Sequence, residues 1–147
     1  MTTKASKRAA FDTATVADAM HPGVITCPRQ ATLATVARMM AAYRVHCVVV
    51  FDEERDADDA DALWGVISDL DLAGALAEGD ADEQPAGSMA AGAVVTVAAT
   101  ESLRRAAQLM VEHATAHLVV VDPASALPVG VVSTLDLARV LAGGTLR

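Results

Sequence analysis

The chain is written twice. Residues 24–52 (VITCPRQATLATVARMMAAYRVHCVVVFD) align with residues 94–122 (VVTVAATESLRRAAQLMVEHATAHLVVVD) at an offset of 70. Val24, Thr26, Leu33, Ala37, Met40, Val49, Val50 and Asp52 meet Val94, Thr96, Leu103, Ala107, Met110, Val119, Val120 and Asp122. Farther on, WGVISDLDLAGAL (64–76) meets VGVVSTLDLARVL (129–141) at an offset of 65, so the first copy carries a five-residue insertion. Upstream, Met20 in ADAMHPG answers Met89 in AGSMAAG. Agreement over this length requires two copies of one structural unit. Any fold for the chain must therefore be buildable from half of it.

Within each copy the hydrophobic period changes in a fixed order. Val24-Ile25-Thr26-Cys27 and Val94-Val95-Thr96-Val97 are short β-branched runs that predict strands. Leu33, Val36, Ala37 and Met40 then recur at helical spacing, as do Leu103, Ala106, Ala107 and Met110. Residues 47–51 and 118–121 predict buried strands, and 64–67 and 129–132 a third strand. A last helix is expected over 69–77 and over 134–142, the second stopped by Gly143-Gly144. The expected fold is α+β: two β-α-β-β-α repeats, each led by a short helical turn around Met20 or Met89. Units of about 60 residues are marginal alone. The alanine-rich chain has only four Phe, Trp or Tyr residues to fill a core. The two copies are thus expected to share one core around a pseudo-twofold axis. The corresponding division is a flexible arm over 1–15, a first unit over 16–77 with an acidic loop at 52–62, a linker over 78–86, and a second unit over 87–144.

The net charge of −8 argues against nucleic acid and against an anionic membrane surface, since both demand clustered Lys and Arg. Its distribution is uneven. Asp52, Glu53, Glu54, Asp56, Asp58, Asp59 and Asp61 fall in one stretch, and Glu78, Asp80, Asp82 and Glu83 in another. Without these segments and the Arg55 inside them, eight acids face ten bases. Acidic loops are the expectation for both segments. A calcium loop at 52–61 is disfavoured because it lacks the glycine such a turn needs. The body of the protein is nearly neutral, so a small nucleotide is not excluded. The chain has neither a signal-peptide apolar stretch nor a run of membrane-spanning length. A cytoplasmic protein is the expectation. Two cysteines, Cys27 and Cys47, read as buried small hydrophobes, with a redox pair or a metal pair with His46 as the minority alternative.

The most informative segment is Gly65-Val66-Ile67-Ser68-Asp69-Leu70-Asp71 with its copy Gly130-Val131-Val132-Ser133-Thr134-Leu135-Asp136. Ser-x-x-Asp where a strand turns into a helix has the form of a capping box, which explains both polar residues without a ligand. It does not explain the glycine three residues earlier. The same geometry also suits a ligand. Free amides at a helix start attract anions, a serine hydroxyl donates to phosphate, and a carboxylate one turn in accepts from two vicinal ribose hydroxyls.

Two β-α-β-β-α units, each ending in Gly-h-h-Ser-x-x-Asp (h, apolar), resemble the CBS-domain family, and the tandem resembles a CBS pair (Bateman module) over residues 16–144 with no catalytic or transporter domain attached. The resemblance implies a regulatory module whose cleft binds AMP, ADP, ATP or S-adenosylmethionine. It implies Asp71 and Asp136 as ribose ligands and Ser68, Ser133, Thr134, His46, His117 and Arg139 on the phosphate side. Ile25, Thr26, Val95 and Thr96 would line the adenine pocket. It further implies a homodimer formed through helices and an effector protein that reads the ligand state. No covalent cofactor and no metal are expected.

The two sites are not expected to be equal. The first helix opens Ser68-Asp69, with a carboxylate where a phosphate would come, and the second opens Ser133-Thr134. Arg139 follows Asp136 by one turn where the first unit has Gly74. Tighter phosphate binding is therefore expected at the second site, or an uncharged or cationic adenosine ligand at the first. For His46 and His117, which open matching strands, a locally bonded strand-edge histidine and a phosphate-facing base stand side by side. Arg29 and Arg44 are candidate phosphate partners, with exposed surface the commoner outcome, and His21 and His113 count as surface residues. No GxSxG, P-loop, GxGxxG, HExxH or paired Cys/His spacing appears, so the chain is not expected to be an enzyme. A scaffold with the same fold and no nucleotide is the alternative function.

Overall fold

Both copies fold in the expected β-α-β-β-α order, but each copy's lead-in segment packs on the other copy. The structure, a computed structural model, describes residues 4–79, 84–90 and 94–143, with side chains described from residue 9 onward. The first three residues of the expected arm, Asp80, Asp82 and Glu83 of the second acidic cluster, and Gly144 lie outside these. In chain order the elements are α1 (Lys4–Thr13), α2 (Val16–Ala19), β1 (His21–Pro22), β2 (Thr26–Pro28), α3 (Leu33–Tyr43), β3 (Cys47–Phe51), a 3-10 turn (Ala60–Ala62), β4 (Leu63–Ser68), α4 (Asp69–Glu78), α5 (Ala86–Met89), β5 (Thr96–Ala98), α6 (Leu103–Glu112), β6 (His117–Val121), β7 (Pro128–Ser133) and α7 (Thr134–Leu141). They group into two compact units, one over 24–94 and one formed by the described parts of 1–23 and 95–147.

In the unit over 24–94 the sheet order is β2-β3-β4. β2 and β3 are parallel, with Cys27 opposite Val50, so the chain between them needs a crossover, which α3 supplies. The Thr32 hydroxyl accepts from the Thr35 amide at the start of α3, and Arg44 closes its end in the left-handed conformation at φ 55°. β3 returns antiparallel into β4, pairing Cys47 with Ser68 and Val50 with Gly65. Leu33, Val36 and Met40 of the α3 stripe are buried with Cys27, Val48, Val50, Ile67 and Ala75. Ala86 and Ala90, from the lead-in of the second copy, complete this core.

The other unit repeats the pattern as β7-β6-β5 and adds β1 at the edge, antiparallel to β7. Leu103, Ala106 and Met110 of α6 are buried with Val97, Leu118, Val120, Val132 and Val140, and with Ala14, Val16 and Ala19 from the start of the chain. Residues 4–13, expected within a flexible arm, instead form α1. Its Phe11 packs on this core and its Asp12 pairs with Arg104. An apolar residue that finds a buried face outweighs the entropy of ordering a short polar helix.

Backbone hydrogen bonds fix the exchange. Val16 and Ala17 donate to the carbonyls of Glu101 and Ala99 at 2.8 and 2.9 Å, and Gly23 donates to Val129 at 2.8 Å. Reciprocally, Ala86 donates to Ala31 at 2.7 Å and Gly87 to Arg29 at 2.8 Å. The close approach is what requires the two repeated glycines. A Cβ on Gly65 would sit 2.6 Å from the Ala90 Cβ, and one on Gly130 would sit 2.5 Å from the His21 carbonyl oxygen.

The acidic loop is solvated over most of its length, as expected, and Arg29 ties its first residues down. The Arg29 side chain is 21% exposed. Its Nη2 lies 3.3 Å from Asp52 and 3.5 Å from Glu54, and its backbone amide donates to Glu53 at 3.0 Å. Its guanidinium stacks over Trp64 at 4.5 Å from the ring centroid, and the Trp64 indole donates to the Gly87 carbonyl. Arg29 is therefore committed to the loop, and the expected exposed surface arginine is a half-buried clamp. Arg44 is exposed.

Candidate functional site

Each unit carries the Ser-x-x-Asp segment where its last strand becomes its last helix, and in both it is a complete capping box. Ser68 caps α4: its Oγ accepts from the Asp71 amide at 3.2 Å, while the Asp71 Oδ2 accepts from the Ser68 amide at 2.8 Å. Ser133 caps α7 in the same way, at 3.2 and 2.9 Å. The antiparallel register places His46 and His117 beside these turns. Asp69 donates its amide to the His46 carbonyl at 2.8 Å, and Thr134 donates to Ala116 at 3.0 Å. His117 lies opposite Ser133 across the β6–β7 pair.

Beyond this shared frame the two turns differ. Asp71 is half-buried, and among the described residues its carboxylate accepts one hydrogen bond, from Ser68. Asp136 is 1% exposed and is the one buried charged residue among those described. It accepts from the Ser133 amide and hydroxyl, the latter at 3.1 Å, and from Arg139 Nη1 at 3.4 Å. His21 Nδ1 stands 3.2 Å from its Oδ1 and 3.3 Å from its Oδ2. His21, expected as a surface residue, is half-exposed and bonded to the motif aspartate of the second copy. Sequence reasoning missed this residue. The correspondence of Met20 with Met89 runs on to His21 opposite Ala90, but nothing in the sequence tells on which copy the segment packs.

The charges expected to separate the two sites are engaged. Asp69, placed where a phosphate would come, lies 2.8 Å from His46 Nδ1 through its Oδ2. Arg139, expected to assist a phosphate, reaches Asp136. Both histidines are strand-edge residues, His46 exposed and His117 half-buried. Of the residues expected around adenine, Ile25 and Val95 are half-buried, and their carbonyls accept from Val49 at 2.9 Å and Val119 at 3.2 Å. Thr26 and Thr96 are exposed at the starts of β2 and β5. In the unit over 24–94 Thr26 opens β2, Ile25 stands just before it with its carbonyl bonded to Val49 of the neighbouring β3, and Ser68 lies opposite Cys47 across the β3–β4 pair.

Cys27 and Cys47 are both buried free thiols, as expected. Burial foremost, with the Glu53 charge near Cys27 and the Asp69 charge near Cys47, pushes each thiol up to about 11. Among the described residues no group of three or more His, Cys, Asp and Glu is placed to hold a metal ion. No described helix is long and apolar enough to cross a membrane.

A family model for the CBS domain matches residues 16–78 and 87–143. Among solved structures, the chain is similar to the CBS-domain protein PAE2072 from Pyrobaculum aerophilum complexed with AMP, at 26% identity and a TM-score of 0.74, over 89% of this chain and 100% of that one. It is similar to Hypoxic Response Protein I with two coordinated zinc ions, at 26% identity and a TM-score of 0.68, over 86% of this chain and 98% of that one. It also shares its fold with the CBS domain pair of protein MJ0100 in complex with 5'-methylthioadenosine and S-adenosyl-L-methionine, at 22% identity and a TM-score of 0.76, over 88% and 97% of the two chains. Comparison with curated proteins finds no match.

Proposed function

The chain belongs to the CBS-domain family, as a tandem pair, and on that premise we propose that it is a regulatory module that binds an adenosine-containing ligand: AMP, ADP, ATP or S-adenosylmethionine. The observation that carries the reading is the turn at the start of α4. There a half-buried carboxylate with acceptor capacity to spare, Asp71, stands three residues after a serine whose hydroxyl faces the helix amides. A vicinal diol needs such a carboxylate, and a phosphate is favoured by the amides and partial positive charge of a helix start. In this reading Asp71 and Asp136 are the ribose candidates of the two units. Ser68 and His46 in one unit, and Ser133, Thr134, His117 and Arg139 in the other, form the phosphate side. Ile25, Thr26, Val95 and Thr96 offer apolar surface and backbone groups to the base. The AMP complex of the PAE2072 protein, at 26% identity, supports the ligand class.

The reading is one of binding and signalling rather than catalysis, in the cytoplasm, with an effector protein reading the occupied state. A second copy of the chain is the proposed partner. Leu70 and Leu76 on α4 and their counterparts Leu135 and Leu141 on α7 are all exposed, and a homodimer covers such repeated apolar helix faces.

A second reading, a scaffold that binds no nucleotide, is favoured by the completeness of the two capping boxes. They give Ser68, Asp71, Ser133 and Asp136 hydrogen-bond partners within the chain, which accounts for the motif as helix capping alone. A thermal-shift panel of AMP, ADP, ATP and S-adenosylmethionine separates the two. A ligand at about 100 times its Kd adds about 2.7 kcal/mol of apparent stability. A rise in melting temperature with at least one of the four supports the sensor, and silence across the panel at millimolar concentration supports the scaffold.

A further inference from the structure

We infer that His21 is an internal stopper on the second motif aspartate, so that the Ser133–Asp136 turn is closed and the Ser68–Asp71 turn alone takes a ribose. The inference rests on the adenosine-ligand reading and names how that site is regulated.

A carboxylate offers about four lone-pair positions to donors. At Asp136 four donors already converge: the Ser133 amide, the Ser133 hydroxyl, His21 Nδ1 and Arg139 Nη1. The group is 1% exposed. A ribose diol brings two more hydroxyl donors, and neither has an acceptor or an approach until one of these partners leaves. Ser133 is part of the helix cap and Arg139 is on the same helix, so both move with Asp136. His21 does not. It arrives on β1, from the lead-in of the other copy, held by backbone pairing of His21 with Val131 and of Pro22 with Gly130. Its ring is half-exposed and is free to swing outward without unpacking a core.

Neither stopper exists at the first turn. The position one turn after Asp71 is Gly74 instead of arginine, with nothing within 4 Å of where a Cβ would stand. The lead-in position matching His21 is Ala90, whose methyl touches Gly65 and carries no donor. Two copies with the same cap thus end in different states through two side chains, one contributed by each copy. Swinging His21 away from Asp136 is the step that opens the second turn, and anything that draws β1 off β7 opens it too.

Calorimetric titration of AMP into the full chain tests this with His21→Ala and Asp71→Asn. The wild type should show a single binding event. Losing a hydrogen-bonded charge costs about 1.5–3 kcal/mol, so Asp71→Asn should weaken AMP by about 10- to 100-fold. His21→Ala should add a second event, and the double variant should keep only that one. A wild-type isotherm with two equal events, AMP binding undiminished by Asp71→Asn, or a His21→Ala isotherm identical to wild type overturns the stopper while leaving the ligand class standing. No heat with AMP for the wild type or any variant removes the ligand reading, and the stopper with it. Melting curves of the variants verify that each is folded before titration.

Discussion

A methyl group at residue 65 has no space to occupy. The Cβ of a Gly65→Ala variant would lie 2.6 Å from the Ala90 Cβ, with the Ala90 carbonyl oxygen at 3.4 Å and its carbon at 3.6 Å. Packed carbons sit at about 3.5–4.0 Å, so the two must part by about 1 Å. Both residues are buried. Overpacking of this kind costs about 1–3 kcal/mol, and each kcal/mol lowers the melting temperature by about 2–4 °C in a domain of this size. The obstacle is a single methyl, so Gly65→Ala combined with Ala90→Gly should regain most of the loss. At residue 130 the obstacle is different: the His21 carbonyl oxygen at 2.5 Å and Met20 Sδ at 2.7 Å. Backbone cannot be trimmed away, so Gly130→Ala should cost at least as much, and adding Met20→Ala should not rescue it. Urea unfolding of the single and double variants measures both cycles, and a coupling of about 1 kcal/mol or more between residues 65 and 90 is expected. A Gly65→Ala protein as stable as wild type, or strictly additive effects at 65 and 90, would refute the exchange of lead-in segments from which both glycines are explained.

Two further outcomes follow from the unit over 24–94. Arg29→Met should leave Asp52, whose side chain is 13% exposed, and its neighbours Glu53 and Glu54 with Arg55 as the remaining nearby base. The variant should therefore lose about 1–3 kcal/mol and regain more of its melting temperature than wild type does between about 0.05 and 1 M NaCl, because screening relieves the acids. Equal salt dependence would count against the clamp. The two buried thiols make stability fall at alkaline pH. Their folded values near 11 stand above the ordinary 9.0, so as pH rises past 9 the unfolded chain ionises first and is favoured. The stabilisation is intact below pH 9 and is lost as pH rises through about 11, by about 2–3 kcal/mol per thiol. Urea midpoints from pH 8 to 11 should drop more steeply for wild type than for Cys27→Ala and Cys47→Ala, and parallel profiles would contradict the shift.

What could be read in the sequence was whatever depends on neighbours along the chain. The α3 and α6 stripes, the apolar runs of β3 and β6 and the Ser-x-x-Asp caps each lie within a dozen residues, where period and capping chemistry act directly. Strand edges shifted by a residue or two. β2 starts at Thr26 rather than Val24 because Ile25 contributes only a carbonyl, to Val49. What remained hidden depends on partners far away in sequence. His21 meets Asp136 across 115 positions, and Arg29 meets Trp64 and the acidic loop, so both looked like surface residues. The glycines at 65 and 130 were recognisable as unexplained, since no cap needs them. Their reason lies in Ala90 and His21, contributed by the segments that change places.

The central claim is that the turn at the start of α4 holds an adenosine ligand. A crystal structure of the full chain grown with AMP tests it most directly. The account predicts the ribose hydroxyls within hydrogen-bond distance of the Asp71 carboxylate and the phosphate on the Ser68 side, with His21 still against Asp136. A nucleotide whose ribose lies on Asp136 while the Asp71 turn stands empty would contradict it.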